Sequence, residues 1–264
     1  MSLRLNQTPE AFKEFYGRNI NQMPKLIAEG RTPLSVAGIM QRRLDTRNAH
    51  TDVKASWIDN YFDTGDAVVY HPYGRVKIVL DSQYLREMTP ETKRNSGALI
   101  LTLEQYDAMD REEFKREKLG KTGDWMLKKD VKVHPVWRVL ARDQELLNDY
   151  VNYIFLYGNQ GFGYGAMMGV FLGSAQGNTP EMMAWCVGSI VERSDVNGRD
   201  DLDYDNCRLV GVAPEALSAS SKGASNIKRY TMADVQNAVS ELEALEKIVR
   251  PESLGKVRSL VSKL

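Results

Sequence analysis

The sequence predicts an α+β fold: an antiparallel sheet of about five or six strands packed against a long central helix, with helical regions at both ends. Three observations lead there. A two-strand pattern with a Pro-Tyr-Gly turn occupies 67–80. An apolar stripe at helical spacing runs over 136–157. Three strand-like runs then follow with only loops between them, a connectivity that suits an antiparallel meander better than βαβ units.

From the N-terminus, Thr8-Pro9-Glu10 reads as a cap with proline at the first helical position, opening a helix to about Tyr16. A second helix is expected over Met23–Glu29, ending at Gly30. A third follows Pro33 through Val36, Ile39, Met40 and Leu44. In the hairpin, Ala67–His71 and Arg75–Leu80 are the strands; Pro72 presets φ and Gly74 permits a positive one. Gly97–Leu103 is a further strand. Thr102 and Gln105 have the spacing of a capping box for a charged helix. Pro135 starts the long helix, whose stripe is Val136, Val139, Leu140, Leu146, Leu147, Tyr150, Val151 and Ile154. The closing strands are expected near Ala166–Leu172, Met183–Val191 and Cys207–Ala213. Residues 1–220 then form one domain, and 227–264 a helical extension beyond the small-residue linker Ser218–Asn226.

With 264 residues the chain needs neither metal nor disulfide to build a core. Lysine plus arginine and aspartate plus glutamate balance at 35 each, so overall charge does not indicate nucleic acid. Two cysteines, Cys186 and Cys207, suit buried thiols in a reducing compartment, and a cytoplasmic location is expected. The final Ser262-Lys263-Leu264 would be a peroxisomal address in a eukaryotic protein; otherwise it is the tail of an amphipathic helix. No signal peptide and no membrane partner are expected. The uncharged run Val151–Pro180 holds seven glycines and several amides, which reads as a buried core of strands and turns.

Two stretches could carry chemistry. Between Ser194 and Asn206 lie five aspartates, and Asp201, Asp203 and Asp205 alternate as the oxygen ligands of a calcium loop do. Calcium or magnesium is the cofactor such a loop would take. The sixth position is Asn206 instead of glycine, the twelfth is Val212 instead of glutamate, and Arg199 interrupts the loop that Asp195 and Asn197 would start. The bland reading is a solvated acidic loop. The second stretch, Gly158–Gly169, is rich in glycine and aromatics, but its G-x-G-x-x-x-G spacing departs from the dinucleotide fingerprint. A turn whose aromatics pack on neighbours is the expected structure, mostly buried. His71 and His134, each before a proline, are the candidate general bases.

The set Trp57, Thr64-Gly65-Asp66 and Tyr73-Gly74 resembles a fragment of the adenylate-forming enzyme signature, in which the aspartate holds the ribose. The chain is too short for that family's two-domain body and lacks its Ser/Thr/Gly-rich phosphate loop, so the assignment is set aside.

The function expected from these readings is a non-enzymatic binding or assembly protein. Self-association would use a helix from Thr231 on which Val235, Leu242, Leu245 and Val249, with Ala238, form one stripe. The alternative is a small-molecule enzyme, such as a metal-assisted hydrolase, using the aspartate loop or a histidine.

Overall fold

The computed structural model describes residues 11–109, 112–119, 123–199 and 202–214. The chain divides into a unit spanning Met1–Leu217 and a second spanning Ser218–Leu264, and all described residues belong to the first. The stripe Val235, Leu242, Leu245, Val249 and the helical extension expected over 227–264 lie outside the described residues.

The unit is mixed α+β, with a large sheet and several helices. Its elements run β1 (Phe12–Tyr16), α1 (Asn19–Ala28), β2 (Thr32–Pro33), α2 (Val36–Asp45), α3 (Thr51–Ile58), β3 (Phe62–Tyr70), β4 (Arg75–Val79), α4 (Gln83–Glu87), β5 (Arg94–Asn95), β6 (Ala98–Ile100), α5 (Leu103–Ala108) and β7 (Glu113–Lys115). After a 3₁₀ turn come α6 (Lys128–Val131), α7 (Pro135–Ala141), α8 (Gln144–Phe162), β8 (Val170–Leu172), β9 (Glu181–Val187), β10 (Val196–Gly198) and β11 (Arg208–Val212).

Eleven strands form one sheet among the described residues, with the main path β1-β11-β3-β9-β10-β8. This exceeds the expected five or six because the short strands β2, β5 and β7, two or three residues long, carry little sequence signal. The sheet is also not wholly antiparallel: β11 runs parallel to β3 and β10 parallel to β8. The long strand β3 lies between β9 and β11 and is buried along its whole length. On one face, Phe62, Val68 and Tyr70 pack with Ile39 and Met40 of α2, Trp137 of α7 and Tyr150, Val151 and Ile154 of α8. On the other, Ala67 and Val69 pack with Met23 and Leu26 of α1 and Leu85 of α4.

The hairpin forms as read, with Val69 opposite Lys77 and Gly74 at φ 73°. So does the capping box: Thr102 Oγ1 accepts the Gln105 N–H, and the Gln105 side chain accepts the Thr102 N–H. Residues 12–16 form a strand instead of a helix, because they pair with β11 nearly two hundred residues away, Phe12 opposite Val212 and Tyr16 opposite Arg208. The helix expected over 136–157 is two helices. Arg142 takes a left-handed conformation (φ 64°) after α7, and the Asp143 carboxylate then accepts the Leu146 N–H (2.7 Å) to cap α8.

The glycine-rich stretch is likewise not a turn throughout. Helix α8 continues through Gly158 and Gly161 to Phe162, and Gly163, at φ 70°, closes it. Gly158 faces Met167, whose side chain occupies the space a Cβ would need, so glycine here permits close packing on a helix. Gly158 and 167–169 are buried while 159–163 are exposed, so the burial expected for the segment holds only at its two ends.

Candidate functional site

The aromatic and cationic side chains around the end of α8 form a continuous surface strip. Tyr153 and Tyr157 stand one helical turn apart on α8, ring centroids 6.2 Å apart, and Lys54 of α3 lies over Tyr157 at 5.0 Å. Tyr157 is followed by Phe162 at 6.2 Å, and Phe162 stacks on Tyr164 at 5.4 Å. The Arg193 guanidinium bridges Tyr164 (4.6 Å) and Trp125 (5.2 Å). Trp125 meets Phe171 edge-on at 5.5 Å, and Arg199 covers Phe171 at 4.8 Å. These spacings fall within the range of attractive ring–ring and cation–ring contacts. Phe162 is 41% exposed and Arg199 is exposed, while Tyr157, Tyr164, Trp125, Phe171 and Arg193 are half-buried. Among the described residues no carboxylate forms an ion pair with Lys54, Arg193 or Arg199.

At its α3 end the strip opens into a cleft of about 410 Å³ between α3 and α8, lined by Arg47, Asn48, Thr51, Lys54, Asp59 and Tyr157 among others. Two further clefts, of about 500 and 400 Å³, flank the α7–α8 junction at Asp143. None of the three is lined by His71, His134, Asp203 or Asp205.

The strip rests on a hydrogen-bonded base. Of the six non-glycine residues with positive φ among those described, Met168 (53°), Arg193 (74°) and Ser194 (52°) meet here. Side chains other than glycine, asparagine and aspartate rarely adopt this region, so surrounding contacts must hold them there. The Met168 N–H donates to the Arg193 carbonyl (2.8 Å), and Trp137 Nε1 donates to the Met168 carbonyl (2.8 Å). Beneath Ser194 lies Arg43, fully buried. It donates to the carbonyls of Trp57 (2.8 Å), Asn60 (3.3 Å) and Gly188 (2.9 Å), to Tyr150 Oη (2.8 Å) and to Ser194 Oγ (3.1 Å). That matches the five N–H donors of a guanidinium. Two close approaches finish the base. Gly169 lies under Trp125 and Phe171, where a Cβ would sit 3.1–3.2 Å from ring atoms; Tyr164 Oη ties down the Val191 carbonyl at 2.9 Å. Burial pushes the Tyr153 hydroxyl up to about 12, so it stays protonated at neutral pH.

The residues singled out in the sequence lie elsewhere. His71, at the end of β3, is 3% exposed and packs against Tyr73 and Tyr106. Its Nδ1 accepts the Tyr73 N–H (3.2 Å), and Nε2 lies 2.8 Å from the Arg75 guanidinium. A ring proton on either nitrogen faces a donor, and burial together with the Arg75 charge holds the imidazole below its usual range. His134 precedes Pro135 at the start of α7. Its Nε2 lies 3.0 Å from the Leu119 carbonyl, and burial again lowers its pKa against the pull of that carbonyl. In both, burial favours the neutral imidazole. Asp203 pairs with Arg94 at 3.2 Å, Asp205 is exposed, and Asp201 lies outside the described residues. Among the described residues, the potential metal-ligating side chains that converge are Asp63, Cys186 and Cys207.

Asp66, of the Thr-Gly-Asp triplet, closes a different junction. Its buried carboxylate accepts the Val36 N–H at the start of α2 (2.8 Å) and the Asp81 N–H (2.9 Å), and pairs with Arg142 (2.7 Å). With those partners it fastens α2 and the α7–α8 break to the sheet. Desolvation pushes its pKa up, and Arg142 and the two N–H donors oppose that rise.

Sequence reading missed the strip because its members come from five separate stretches of chain. Two signals were present: the ring-rich Phe162–Tyr164 stretch, and Arg199, which the calcium-loop pattern could not accommodate.

No family model matches the chain, and no curated protein matches it. A solved structure described as "Accommodation of massive sequence variation in Nanoarchaeota by the C-type lectin fold" is similar: it is 17% identical, and the match covers 80% of this chain and 100% of that one. The TM-score is 0.58. At that identity the likeness is one of architecture, and the architecture it shows is the C-type lectin fold.

Proposed function

We propose that this chain is a non-enzymatic binding protein and that the strip from Lys54 to Arg199 is its recognition face for a protein partner with an acidic surface. The observation that carries the reading is the strip's composition. Tyrosine, tryptophan, phenylalanine and arginine are the residues enriched where proteins recognise one another, and the energetically dominant contacts draw on the same set. A guanidinium laid flat on a ring keeps its in-plane N–H donors pointing outward, in the geometry that grips a carboxylate with two parallel bonds. Arg193 and Arg199 both lie over rings, the guanidinium carbons 4.6 Å from the Tyr164 centroid, 5.2 Å from Trp125 and 4.8 Å from Phe171. The left-handed residues and the Arg43 network beneath them fix the strip before a partner arrives, which lowers the ordering cost of binding. The fold neighbour, described as accommodating massive sequence variation, is consistent with a scaffold whose surface is free to specialise while its core persists.

Selection from a phage-displayed random peptide library tests the reading even though the partner is unidentified. The enriched peptides are expected to combine aspartate or glutamate with apolar residues and to lose binding at least tenfold against Arg193→Ala and Trp125→Ala. Peptides that bind both variants as tightly as the wild type would place recognition elsewhere.

A further inference from the structure

Cys186 and Cys207 are the chain's two cysteines, and both are buried. Register explains how they meet. Cys186 of β9 is opposite Asp63 of β3, and Asp63 on its other side is opposite Leu209 of β11. Cys207 lies in the bend just before β11, two residues from Leu209. The two Sγ atoms lie 2.6 Å apart. Unbonded carbon atoms pack at about 3.5–4.0 Å, and sulfur is larger than carbon. Zinc would need both sulfurs at ~2.3 Å in a tetrahedral arrangement, which spaces them ~3.8 Å apart. The sulfurs are thus too close to share one ion and near the ~2.05 Å of a bond between them.

We infer that Cys186 and Cys207 are a disulfide-forming pair that closes the segment 187–206. The Asp63 carboxylate, whose oxygen lies within 4.8 Å of both sulfurs, lines this pair as a neighbour instead of completing a metal site. Bond formation is an exchange with a low-molecular-weight disulfide. One thiolate attacks it and releases a small thiol; the second thiolate then attacks the mixed disulfide and releases the other. Two protein thiols are oxidised, one small disulfide is reduced to two thiols, and the two protons leave with them. Because both sulfurs are buried, exchange belongs to the folding chain, before β9 and β11 close over them. The pair spans 21 positions, and the closed segment carries Arg193, Ser194 and Arg199. The inference stands independently of the binding reading, since it concerns only how this segment is fastened.

The test uses the full chain, denatured, refolded in a mixture of glutathione and glutathione disulfide, then unfolded again and treated with a thiol-alkylating reagent. The expected product takes up no label, weighs two hydrogens less than the reduced chain, and gains two labels after reduction. Its Tm is expected to fall by roughly 6–12 °C on reduction, as loop closure over such a span implies. A Cys186→Ser, Cys207→Ser double variant is expected to melt at one temperature with or without reductant. Two labels on the refolded, unreduced chain, or stoichiometric zinc retained by the refolded protein with both thiols free, would overturn the pairing. The label count needs only the wild type, so it decides the matter even where the variant fails to fold.

Discussion

Arg43 and Arg193 sit on opposite sides of the same turn and use the same guanidinium in opposite ways. Arg43 faces inward, with no exposed surface, and each of its donors meets a neutral oxygen. Arg193 faces outward across Trp125 and Tyr164. The inner arginine has spent its hydrogen-bonding capacity on the fold, whereas the outer one is oriented by rings that take none of its donors. Where two arginines flank one backbone turn, the saturation of their donors separates the one that builds the site from the one that presents it.

The largest effect expected from this contrast is at Arg43. Arg43→Ala leaves the Trp57 and Gly188 carbonyls and the Tyr150 and Ser194 hydroxyls short of a donor and opens a cavity beside Phe62. A loss of about 3–5 kcal/mol in urea denaturation is expected. Arg43→Lys should recover only part of it, since an ammonium has three donors for five acceptors. A loss under about 1 kcal/mol for Arg43→Ala would show that the turn is held by something else.

A smaller effect is expected where the strip's backing meets the core. A Cβ on Gly198 would lie 2.8 Å from Tyr70 Oη and Val68 Cγ1 and 3.0 Å from a Trp185 ring carbon. Tyr70 is fixed at both ends of its hydrogen-bonding range, donating to the Gly198 carbonyl and accepting the Gly173 N–H, so it cannot swing aside. Gly198→Ala is expected to cost about 1–3 kcal/mol. It also shifts the strand that leads into Arg199, so peptide binding should weaken with it. Unchanged stability would mean that β10 moves freely against β3.

Legibility in the sequence followed the distance over which each feature is determined. The β3–β4 hairpin is set by its own turn residues, and the α5 capping box by two residues three apart, so both could be read locally. Strand β1 could not, because Phe12–Tyr16 is made a strand by a partner at the far end of the unit. The helix break at Arg142 escaped notice because the apolar stripe continues in phase on both sides; only the Asp143 cap marks it, and aspartates are common on exposed helix faces. The strip was least legible of all. Arg199 registered in the sequence only as the residue that spoiled a calcium loop, and its partner Phe171 lies 28 positions earlier on another strand. Charge sign and ring content are visible in a sequence, but their adjacency is a product of the sheet.

The histidines sharpen the comparison from the titratable side. Both His71 and His134 have folded-state pKa values below the ordinary 6.5. As pH falls, the unfolded chain therefore takes up protons before the folded one, so the stability held above about pH 6.5 is lost as pH drops toward the folded values. Melting measured from pH 7.5 down to 5 is expected to show this decline, and His71→Asn with His134→Asn should flatten it. The strip from Lys54 to Arg199 contains neither histidine. At pH values where the protein remains folded, peptide binding by the strip should therefore follow the ligand's carboxylates and not these histidines. Binding that tracks a group titrating near pH 6 in the protein would assign one of the histidines a part in recognition.

The smallest effect on stability, and the sharpest on function, is expected at Arg199. Its guanidinium covers Phe171 at 4.8 Å on the exposed side of β10, and cation–ring contacts at exposed sites contribute about 0.5–1 kcal/mol. Arg199→Ala should leave unfolding within about 1 kcal/mol of wild type, while the peptides selected on the wild-type strip lose at least tenfold in affinity. Arg199→Lys separates charge from shape. A lysine restores the charge but not the flat, two-pronged donor geometry, so it should recover the salt dependence of association and little of the affinity. Fluorescence titration with a labelled selected peptide at two ionic strengths reads both quantities. If Arg199→Ala instead unfolds the protein as Arg43→Ala is expected to, the outward arginine is structural, the contrast between the two sides of the turn fails, and the strip loses its claim to be a recognition face.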